Sequence, residues 1–336
     1  MKLVTASDIV RYGLDTLFTD ALRFLEEDLR RWDEFKKSPR HAVHYAHGVF
    51  ELMPVADGKY YTYKYVNAHP ANPDMGKLSI VALGMLADIE TGYPQLVSDM
   101  TLLTAIRTAA TSAIAAKHLA RKDSSVLGLI GTGAQSEFQA YAMRRTLPIS
   151  TIRFFDRDRN AMEKFARNLE GSGISLVACR SGDEVVDGAD IVTTAICEKA
   201  RVKLFDYASV KGRRLFVNAM GGDTVGKTEL DPEVMRHSRI VVEFYEQTKH
   251  EGEIQNLKGE EFAYDELHEI VRGRKEGRAG TDGIIVFDSV GFALADFSML
   301  RMLHERGIGS EVELLPQLKD PKDLISLFPG VSAKRF

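Results

Sequence analysis

The chain has 336 residues, of which 44% are hydrophobic and 27% charged, and its net charge is −4. This length accommodates two domains with sizeable cores, and the composition is ordinary for a soluble globular protein. The small negative charge and the lack of a long basic run speak against a surface that binds nucleic acid.

The sequence shows no sign of export or of insertion in a membrane. No apolar run approaches the roughly 18 residues of a membrane span, and the N-terminus lacks the apolar core of a signal peptide. The only cysteines are Cys179 and Cys197, and their spacing fits neither a disulfide framework nor a metal site. We therefore expect reduced thiols, no bound metal, no membrane partner and a cytoplasmic location.

Residues 1 to about 38 are strongly charged and are predicted to be helical. Leu22, Phe24, Leu25, Leu29 and Trp32 recur at helical spacing, which is typical of an amphipathic helix packed against a core. We expect a structural role for this segment.

A β-hairpin is predicted over residues 48 to 69, because Asp57-Gly58 is a strong hairpin signal between two β-prone segments. A two-residue turn there would pair Ala56 with Lys59 and would place Glu51 opposite Lys64. The other face of this hairpin is apolar and carries Phe50, Leu52, Tyr61, Tyr63 and Tyr65.

Pro54 lies within the first strand of this hairpin and predicts that the strand is at a sheet edge or bulged there. A second hairpin is expected to turn at residues 90 to 92. The first hundred residues should therefore form a mostly antiparallel sheet.

A helix is predicted from about Met100 to Ala120, capped by Ser98 or Asp99. Its many small residues allow close packing against other backbone. Arg107 is a large cation within that run and is either a solvated helix residue or a buried functional group.

Residues 126 to 156 have the pattern of a dinucleotide-binding unit. The apolar run Val126–Ile130 predicts a buried strand, and the segment after Gly131 and Gly133 is helix-like. A second apolar run, from residue 151 to 155, ends on Asp156. This order of strand, glycine turn, helix, strand and acid is the expected context for a bound dinucleotide.

Each residue type in this unit has a physical reason. Gly131 permits a tight turn, and Gly133 lets backbone approach a pyrophosphate beside a helix N-terminus. Asp156 lies about 20 residues beyond, where a carboxylate binds a ribose 2′-hydroxyl and repels a 2′-phosphate, so NAD is favoured over NADP. Arg157 and Arg159 weaken this preference, and a strand-to-helix turn that binds nothing is the alternative.

Strands and helices continue to alternate after Asp156. Strands are predicted near residues 174–179, 191–194, 215–218 and 240–243, and a helix near Tyr264 to Arg272. Because strand ends of a doubly wound sheet face the ligand, the loop Asn218–Asp223 should lie near a nicotinamide. Asp223 could equally be a turn residue. A last strand, a loop with a serine and a helix to about Arg306 should return the chain to the first domain.

Several separated segments form a recognisable set. They are KYVNAHP (64–70), RTAATSA (107–113), GTGAQ (131–135), NAMGGD (218–223), KTEL (227–230), EGEIQ (251–255) and FDSVGFA (287–293). In this order they resemble the ornithine cyclodeaminase and mu-crystallin family, and the resemblance covers nearly the whole chain.

The resemblance implies an NAD-dependent conversion of L-ornithine to L-proline and ammonia. Hydride leaves the substrate α-carbon, the side-chain amine attacks the resulting imine, ammonia departs, and the cyclic 1-pyrroline-2-carboxylate takes the hydride back. Such chemistry needs a carboxylate clamp, a proton shuttle and a dry site.

The resemblance also implies roles for individual residues. The substrate carboxylate would be bound by Arg40, Lys64 and Arg107, with Glu51 and Val290 in the same pocket. Asp223 would be the general acid/base and the partner of the side-chain amine. The residues implied to hold NAD are Ser79, Arg107, Thr108, Gly131, Gly133, Ala134, Gln135, Asp156, Ile196, Val217, Asn218, Ala219, Met220, Lys227 and Ser289. Ile196 stands where the family pattern has threonine, and Met220 where it has valine.

The implied fold is α/β, with a Rossmann doubly wound parallel sheet and a discontinuous α+β domain that binds substrate and pairs two subunits. The substrate and dimerisation domain would comprise residues 1–118 and 300–336, and the NAD-binding domain residues 119–299. A homodimer follows from the resemblance.

Two alternatives stay open. A sister enzyme, such as an alanine dehydrogenase, a lysine cyclodeaminase or a ketimine reductase, needs the same cofactor and clamp but differs at the distal end of its substrate. An acid near that end, such as Asp223 or Glu51, favours a diamino acid. A crystallin-like protein that binds a nicotinamide cofactor and a small ligand without turnover has no need of Arg40, Lys64, Arg107 and Asp223 together.

Overall fold

The computed structural model of the protein describes residues 1–197, 200–278 and 282–328. Two eight-stranded sheets organise it. The first sheet contains β1 (Lys2–Val4), β2 (Lys36–Lys37), β3 (His41–Tyr45), β4 (Gly48–Ala56), β5 (Tyr60–Ala68), β6 (Ile80–Asp88), β7 (Pro94–Asp99) and β16 (Ser310–Glu311). The second contains β8 (Val126–Ile130), β9 (Thr151–Phe155), β10 (Ser175–Ala178), β11 (Ile191–Thr194), β12 (Phe216–Ala219), β13 (Ser238–Val242), β14 (Tyr264–Glu266) and β15 (Ile284–Asp288).

The helices pack on and between these sheets. They are α1 (Ala6–Tyr12), α2 (Leu14–Arg30), α3 (Thr101–Leu119), α4 (Ser136–Thr146), α5 (Arg159–Asn168), α6 (Gly182–Val186), α7 (Pro232–Arg236), α8 (Tyr245–Thr248), α9 (Leu267–Val271) and α10 (Ala293–Glu305). Within the described ranges, no helix is long and apolar enough to cross a membrane.

The first sheet has the order β16-β1-β7-β6-β5-β4-β2, and β3 also pairs with β4. Its neighbours are antiparallel except for β1 and β7, which confirms the predicted mostly antiparallel sheet. Helix α10 packs against the inner face, where Met53, Val55 and Val66 are buried. The outer face, by contrast, leaves Phe50 and Leu52 exposed.

The predicted register of the β4–β5 hairpin is wrong by two residues, because Ala56 pairs with Tyr61 rather than with Lys59. The Asp57 carboxylate accepts hydrogen bonds from the N–H groups of Lys59 and Tyr60, each at 2.7 Å. Asp57 and Tyr60 thus close the hairpin, and the turn shifts one residue along the chain.

The corrected register changes the partner of Glu51. Glu51 faces Val66, and Lys64 faces Met53, so the predicted Glu51–Lys64 pair does not form. A shift of two residues keeps every side chain on its predicted face, because the side-chain period of a strand is two. The faces were therefore predicted correctly and the pairs were not.

Strand β4 lies inside the sheet, but at Pro54 it is a local edge, as the proline predicts. Strand β2 pairs with Val55 and Ala56, and β3 pairs only as far as Leu52. Pro54 lies between the two ladders, where no partner requires its missing N–H.

The second sheet has the order β10-β9-β8-β11-β12-β15-β13-β14, and its paired strands are parallel. This is the predicted doubly wound arrangement, with the chain reversing its direction of winding between β8 and β11. The helix predicted from Tyr264 is wrong at its start. Residues Tyr264–Glu266 pair with β13 as an edge strand, and the helix begins at Leu267.

Helix α3 joins the two sheets and begins close to the predicted residue. Both Asp99 carboxylate oxygens accept backbone N–H groups, from Thr101 and Leu102, each at 3.1 Å, so Asp99 caps the helix. Its alanine-rich face is almost wholly buried against α2, α4 and α10. Close packing of small residues therefore holds the two halves of the molecule together.

Candidate active site

Three cations from distant parts of the chain surround the loop that follows β15. We call Arg40, Lys64 and Arg107 the cation cluster. The Lys64 ammonium lies 2.8 Å from Asp296 Oδ2, and Arg107 Nε lies 3.2 Å from Asp296 Oδ1. Arg40 donates to the carbonyl oxygens of Val290 and Gly291.

Gly291 shows how closely the cation cluster approaches this loop. Its φ is +76°, and a Cβ atom added there would lie 2.6 Å from Arg107 Nη1. Glycine is required both by the backbone conformation and by the guanidinium beside it. The helical Arg107 is only 7% exposed, so it is not a solvated helix residue.

Burial and charge tune the cation cluster. Burial, and then the Arg107 guanidinium, lower the pKa of Lys64 to about 8, although Asp296 opposes the shift. Burial also acts to lower the pKa of Arg40, but Glu51 and Glu251 outweigh it and hold that pKa above its usual value. Near neutral pH the cluster is therefore a set of buried positive charges suited to a carboxylate.

Glu51 meets Arg40 rather than Lys64. Both of its carboxylate oxygens accept hydrogen bonds from Arg40 Nη1, at 3.0 and 3.1 Å. The predicted Glu51–Lys64 ion pair is therefore wrong, and Glu51 forms its ion pair with Arg40.

Asp223 lies in the loop after β12, and its side chain is 47% exposed. Lys227 donates to Asp223 Oδ1 at 3.1 Å and to the Ile196 carbonyl at 2.9 Å. Asp223 also contributes to the electrostatic field at Arg40. The structure thus brings together the cation cluster and the predicted acid/base residue.

The glycine turn after β8 has the predicted geometry. Gly131 has a φ of +100°, and a Cβ atom there would lie 2.4 Å from the Ala195 carbonyl oxygen. A Cβ atom on Gly133 would meet no described atom within 4 Å, which leaves room for a ligand. The Asp156 carboxylate accepts the Thr132 N–H at 2.7 Å and so closes the turn from the end of β9.

The other predicted cofactor residues are spread over both sheets. Thr108, Val217, Ala219, Lys227 and Ser289 are buried; Ile196 and Met220 are half-buried; Ser79 is half-buried at the start of β6. The side chain of Asn218 has a structural role, because its amide nitrogen donates to Ser112, Gln139 and Thr193. Gln135 has a buried side-chain oxygen without a hydrogen-bond partner in the described residues.

Buried carboxyl groups that the sequence did not single out support these loops. Glu229 accepts the Ile196 N–H, Glu253 accepts the N–H groups of Glu229 and Leu230, and Asp288 accepts that of Ile254. Burial raises the pKa of both Glu229 and Asp288 to about 7, and raises that of Glu253 as well.

Asp296, Gln247 and Glu251 were also missed as members of the site. Gln247 accepts the Arg40 N–H at 3.2 Å and donates to the Gly291 carbonyl at 2.6 Å. The segment EGEIQ is one of those that carry the family resemblance, but nothing in its residue types indicates contact with Arg40. Only the folded arrangement brings these groups together.

Comparisons with known proteins agree on one family. The model of the ornithine cyclodeaminase/mu-crystallin family matches residues 4–311. A protein of Brucella abortus biovar 1 (strain 9-941), named ornithine cyclodeaminase, is 46% identical over 331 residues, which cover 97% of this chain and 90% of that protein.

Two solved structures share the whole fold. One is a lysine cyclodeaminase described as recognising L-lysine, L-ornithine and L-2,4-diaminobutyric acid; it is 30% identical, has a TM-score of 0.87, and the match covers 98% of each chain. The other is an archaeal alanine dehydrogenase dimer with bound NAD, which is 32% identical with a TM-score of 0.86, over 94% of this chain and 99% of that one.

Proposed function

The chain belongs to the ornithine cyclodeaminase/mu-crystallin family, and from this premise we propose that it converts L-ornithine to L-proline and ammonia with NAD as its cofactor. The observation that carries the proposal is the cation cluster, which is buried at the C-terminal edge of the nucleotide-binding sheet. The carboxylates of Glu51 and Asp296 pair with it. The class of reaction is that of a lyase that deaminates and cyclises its substrate.

The residues around the glycine turn fit NAD. The open space beside Gly133 and the N-terminus of α4 suit a pyrophosphate. The Gln135 oxygen, which has no partner among the described residues, would accept a ribose hydroxyl. Asp156 would accept the ribose hydroxyls. When bound, NAD supplies a hydride acceptor that is regenerated within each turnover.

The cation cluster would hold the substrate's α-carboxylate. Arg40 and Arg107 can donate two hydrogen bonds each, whereas Lys64 provides a compact charge. Val290, whose carbonyl already accepts from Arg40, would contact the substrate. The clamp would fix the α-carbon relative to the cofactor and so supply much of the positioning that the reaction needs.

Asp223 would be the general acid/base. Its half-exposed carboxylate is held by Lys227, beside the loops predicted to line the cofactor path. Glu51, which pairs with Arg40, would lie in the same pocket. A second ammonium group on the substrate would offset the negative charge of these two acids, and this favours a diamino acid over alanine.

We also propose a homodimer formed through the outer face of the first sheet. Apolar side chains exposed on this face are Val43, Phe50, Leu52, Tyr61, Val81 and Leu83. A contiguous apolar patch of this kind is unusual on a monomer. The two-domain division, residues 1–118 with 300–336 and residues 119–299, and the cytoplasmic location stay predictions within this proposal.

The proposed function is tested by incubating the purified protein with L-ornithine and catalytic NAD, while ammonia and L-proline are both measured. Equal amounts of the two products without net NADH are expected. Accumulation of NADH with ammonia would identify an amino-acid dehydrogenase instead. Asp223→Asn should lower turnover by roughly 10²- to 10⁴-fold with NAD affinity nearly unchanged; full activity of this variant would contradict the role of Asp223.

A further inference from the structure

Glu251 is a buried carboxyl group that accepts no hydrogen bond from residues 1–197, 200–278 and 282–328. It lies between α8 and Gly252, and its side chain is 10% exposed. Among the described residues its only close polar neighbour is Arg40, whose Nε lies 3.5 Å from Glu251 Oε2. The Gly252 N–H donates to the Gly222 carbonyl at 2.6 Å, which anchors this segment beside the loop that carries Asp223.

The charged groups that face Glu251 come from four elements. They are Arg40 before β3, Glu51 on β4, Asp223 after β12 and Asp288 at the end of β15. Burial raises the pKa of Glu251 to about 7; Arg40 opposes this shift, and the three carboxyl groups add to it. A carboxyl group in this range can both take and return a proton near neutral pH.

Glu51 is not equivalent, although it contacts the same arginine. Both of its oxygens are engaged by Arg40 Nη1, whereas no hydrogen bond reaches Glu251 within the described part of the chain. Of the two carboxylates beside Arg40, Glu251 therefore has the larger free acceptor capacity for a substrate nitrogen, because each Glu51 oxygen already accepts one hydrogen bond.

The chemistry requires two proton acceptors. L-ornithine carries two ammonium groups at neutral pH, and both nitrogens must lose a proton. The α-nitrogen must do so because a hydride leaves only a carbon that bears a free amine, and the side-chain nitrogen because the free amine is the nucleophile. Asp223 supplies one acceptor, so the site needs a second.

We propose that Glu251 is this second proton acceptor and that it takes the proton of the α-ammonium group, while Asp223 takes that of the side-chain ammonium group. This inference rests on the function proposed above. Glu251 lies beside Arg40, which is a member of the proposed carboxylate clamp. Glu251 would therefore lie at the α-carbon end of the substrate.

The proton balance closes over one turnover. A C–N bond forms between the side-chain nitrogen and the α-carbon, and the original α-carbon–nitrogen bond breaks. As the new bond forms, the ring nitrogen passes one proton to the original α-nitrogen, which leaves as ammonia with the electrons of the broken bond. Glu251 then returns its proton to this ammonia, so that ammonium is the product. Asp223 returns its proton to the ring nitrogen of L-proline. Both carboxylates thus end each cycle in the ionised state in which they began.

The test compares two reactions in the variant Glu251→Gln. Turnover of L-ornithine should fall by roughly 100-fold or more, because a general base is lost. Reduction of added 1-pyrroline-2-carboxylate by NADH should change by less than about threefold, because the cyclic imine enters after the step that needs Glu251. The matched control is Glu246→Gln, which alters an exposed glutamate on α8 paired with Lys249 and should leave both reactions unchanged.

Two further measurements separate a chemical role from a structural one. The wild-type kcat/KM for L-ornithine should decline below about pH 7 as Glu251 of the free enzyme becomes protonated, and Glu251→Gln should lack this limb. Infrared difference spectra recorded without cofactor across the same pH range should lose one carboxyl band in the variant. Equal losses in both reactions, or an unchanged acid limb, would overturn the inference. A wild-type protein that makes no L-proline would instead refute the proposed function.

Discussion

Asp296 is a counter-ion of two buried cations, and its replacement by asparagine tests how the cation cluster is held. Asp296 Oδ1 lies 3.2 Å from Arg107 Nε, and its Oδ2 lies 2.8 Å from the Lys64 ammonium. The side chains of Lys64 and Asp296 are 1% and 2% exposed. Asp296→Asn keeps the shape of the side chain, removes its charge and sets an NH2 donor against one of the two cations.

The expected loss of stability is large. Removal of one partner from a buried ion pair costs roughly 3–5 kcal/mol, because the remaining charge is left without compensation. Here one carboxylate serves two cations, so we expect a value within that range near neutral pH. Lys64 limits the cost, because it can release its proton instead of remaining charged.

The sign of the pH dependence follows from Lys64. Its pKa in the folded protein, about 8, lies below the ordinary lysine value of 10.5, so the unfolded chain binds more protons and stability rises with pH above about 8. Without Asp296 the pKa of Lys64 falls further. In Asp296→Asn the rise should therefore begin at a lower pH, and the variant should be most destabilised in acid.

Denaturant titrations of both proteins at several pH values measure this effect. The matched control is Asp282→Asn, because Asp282 is 89% exposed and pairs with the exposed Arg214; this change should cost at most about 1 kcal/mol and leave the rise above about pH 8 unchanged. Activity gives a second readout: the KM for L-ornithine should rise above about pH 8 in the wild type and at lower pH in the variant. A loss below about 1 kcal/mol, or an unmoved basic limb, would refute the reasoning.

Three other substitutions test separate parts of the structure. Gly291→Ala forces a Cβ atom against Arg107 at a φ of +76°, and should lower kcat/KM for L-ornithine at least about tenfold without weakening NAD binding, which a calorimetric titration measures. Asp288→Asn removes a carboxyl group that stays protonated up to a pKa of about 7 when folded but ionises near 3.8 when unfolded. The wild type should lose roughly 1.4 kcal/mol more stability than this variant between about pH 6 and about pH 8, and equal losses would contradict the assignment. Leu52→Glu places a charge on the outer sheet face, where Leu52 is 44% exposed, and should yield folded monomers by light scattering if the wild type is a dimer.

Local patterns predicted the second sheet well, because each part of it is encoded by neighbouring residues. The apolar run of β8, the glycine turn at Gly131 and the acid at Asp156 lie within one short stretch of chain, and their physical requirements are local. The structure reproduces this unit, and the NAD-bound relative shares its fold.

The hairpin shows where local information stops. The segment around Asp57 is compatible with two turns that differ by one residue, and the choice depends on whether the Asp57 carboxylate caps the N–H groups of Lys59 and Tyr60. Nothing in the sequence pattern ranks these turns, since both keep the same faces of the strands. The Glu51 partner was therefore predicted wrongly, although its face was correct.

The site itself depends on contacts between residues that are far apart in sequence. Lys64 meets Asp296 across 232 residues, and Arg40 meets Val290 across 250. Residue types alone do not indicate such pairs, and the roles of Arg40, Lys64 and Arg107 came from the family resemblance rather than from periodicity. Asp296 and Glu251 escaped notice because an acid in a buried segment has no pattern of its own.

Arg40 connects the first sheet to the loops of the second sheet. Its backbone N–H donates to Gln247, and its guanidinium donates to the loop after β15; Gln247 in turn donates to the Gly291 carbonyl. The same guanidinium lies between Glu51 and Glu251. A substrate carboxylate that binds Arg40 must therefore alter the field at both acids, since each now shares its cation. If the cation cluster binds the substrate as proposed, clamping of the carboxylate and the proton affinity of Glu251 are physically linked, and binding should raise the pKa of Glu251.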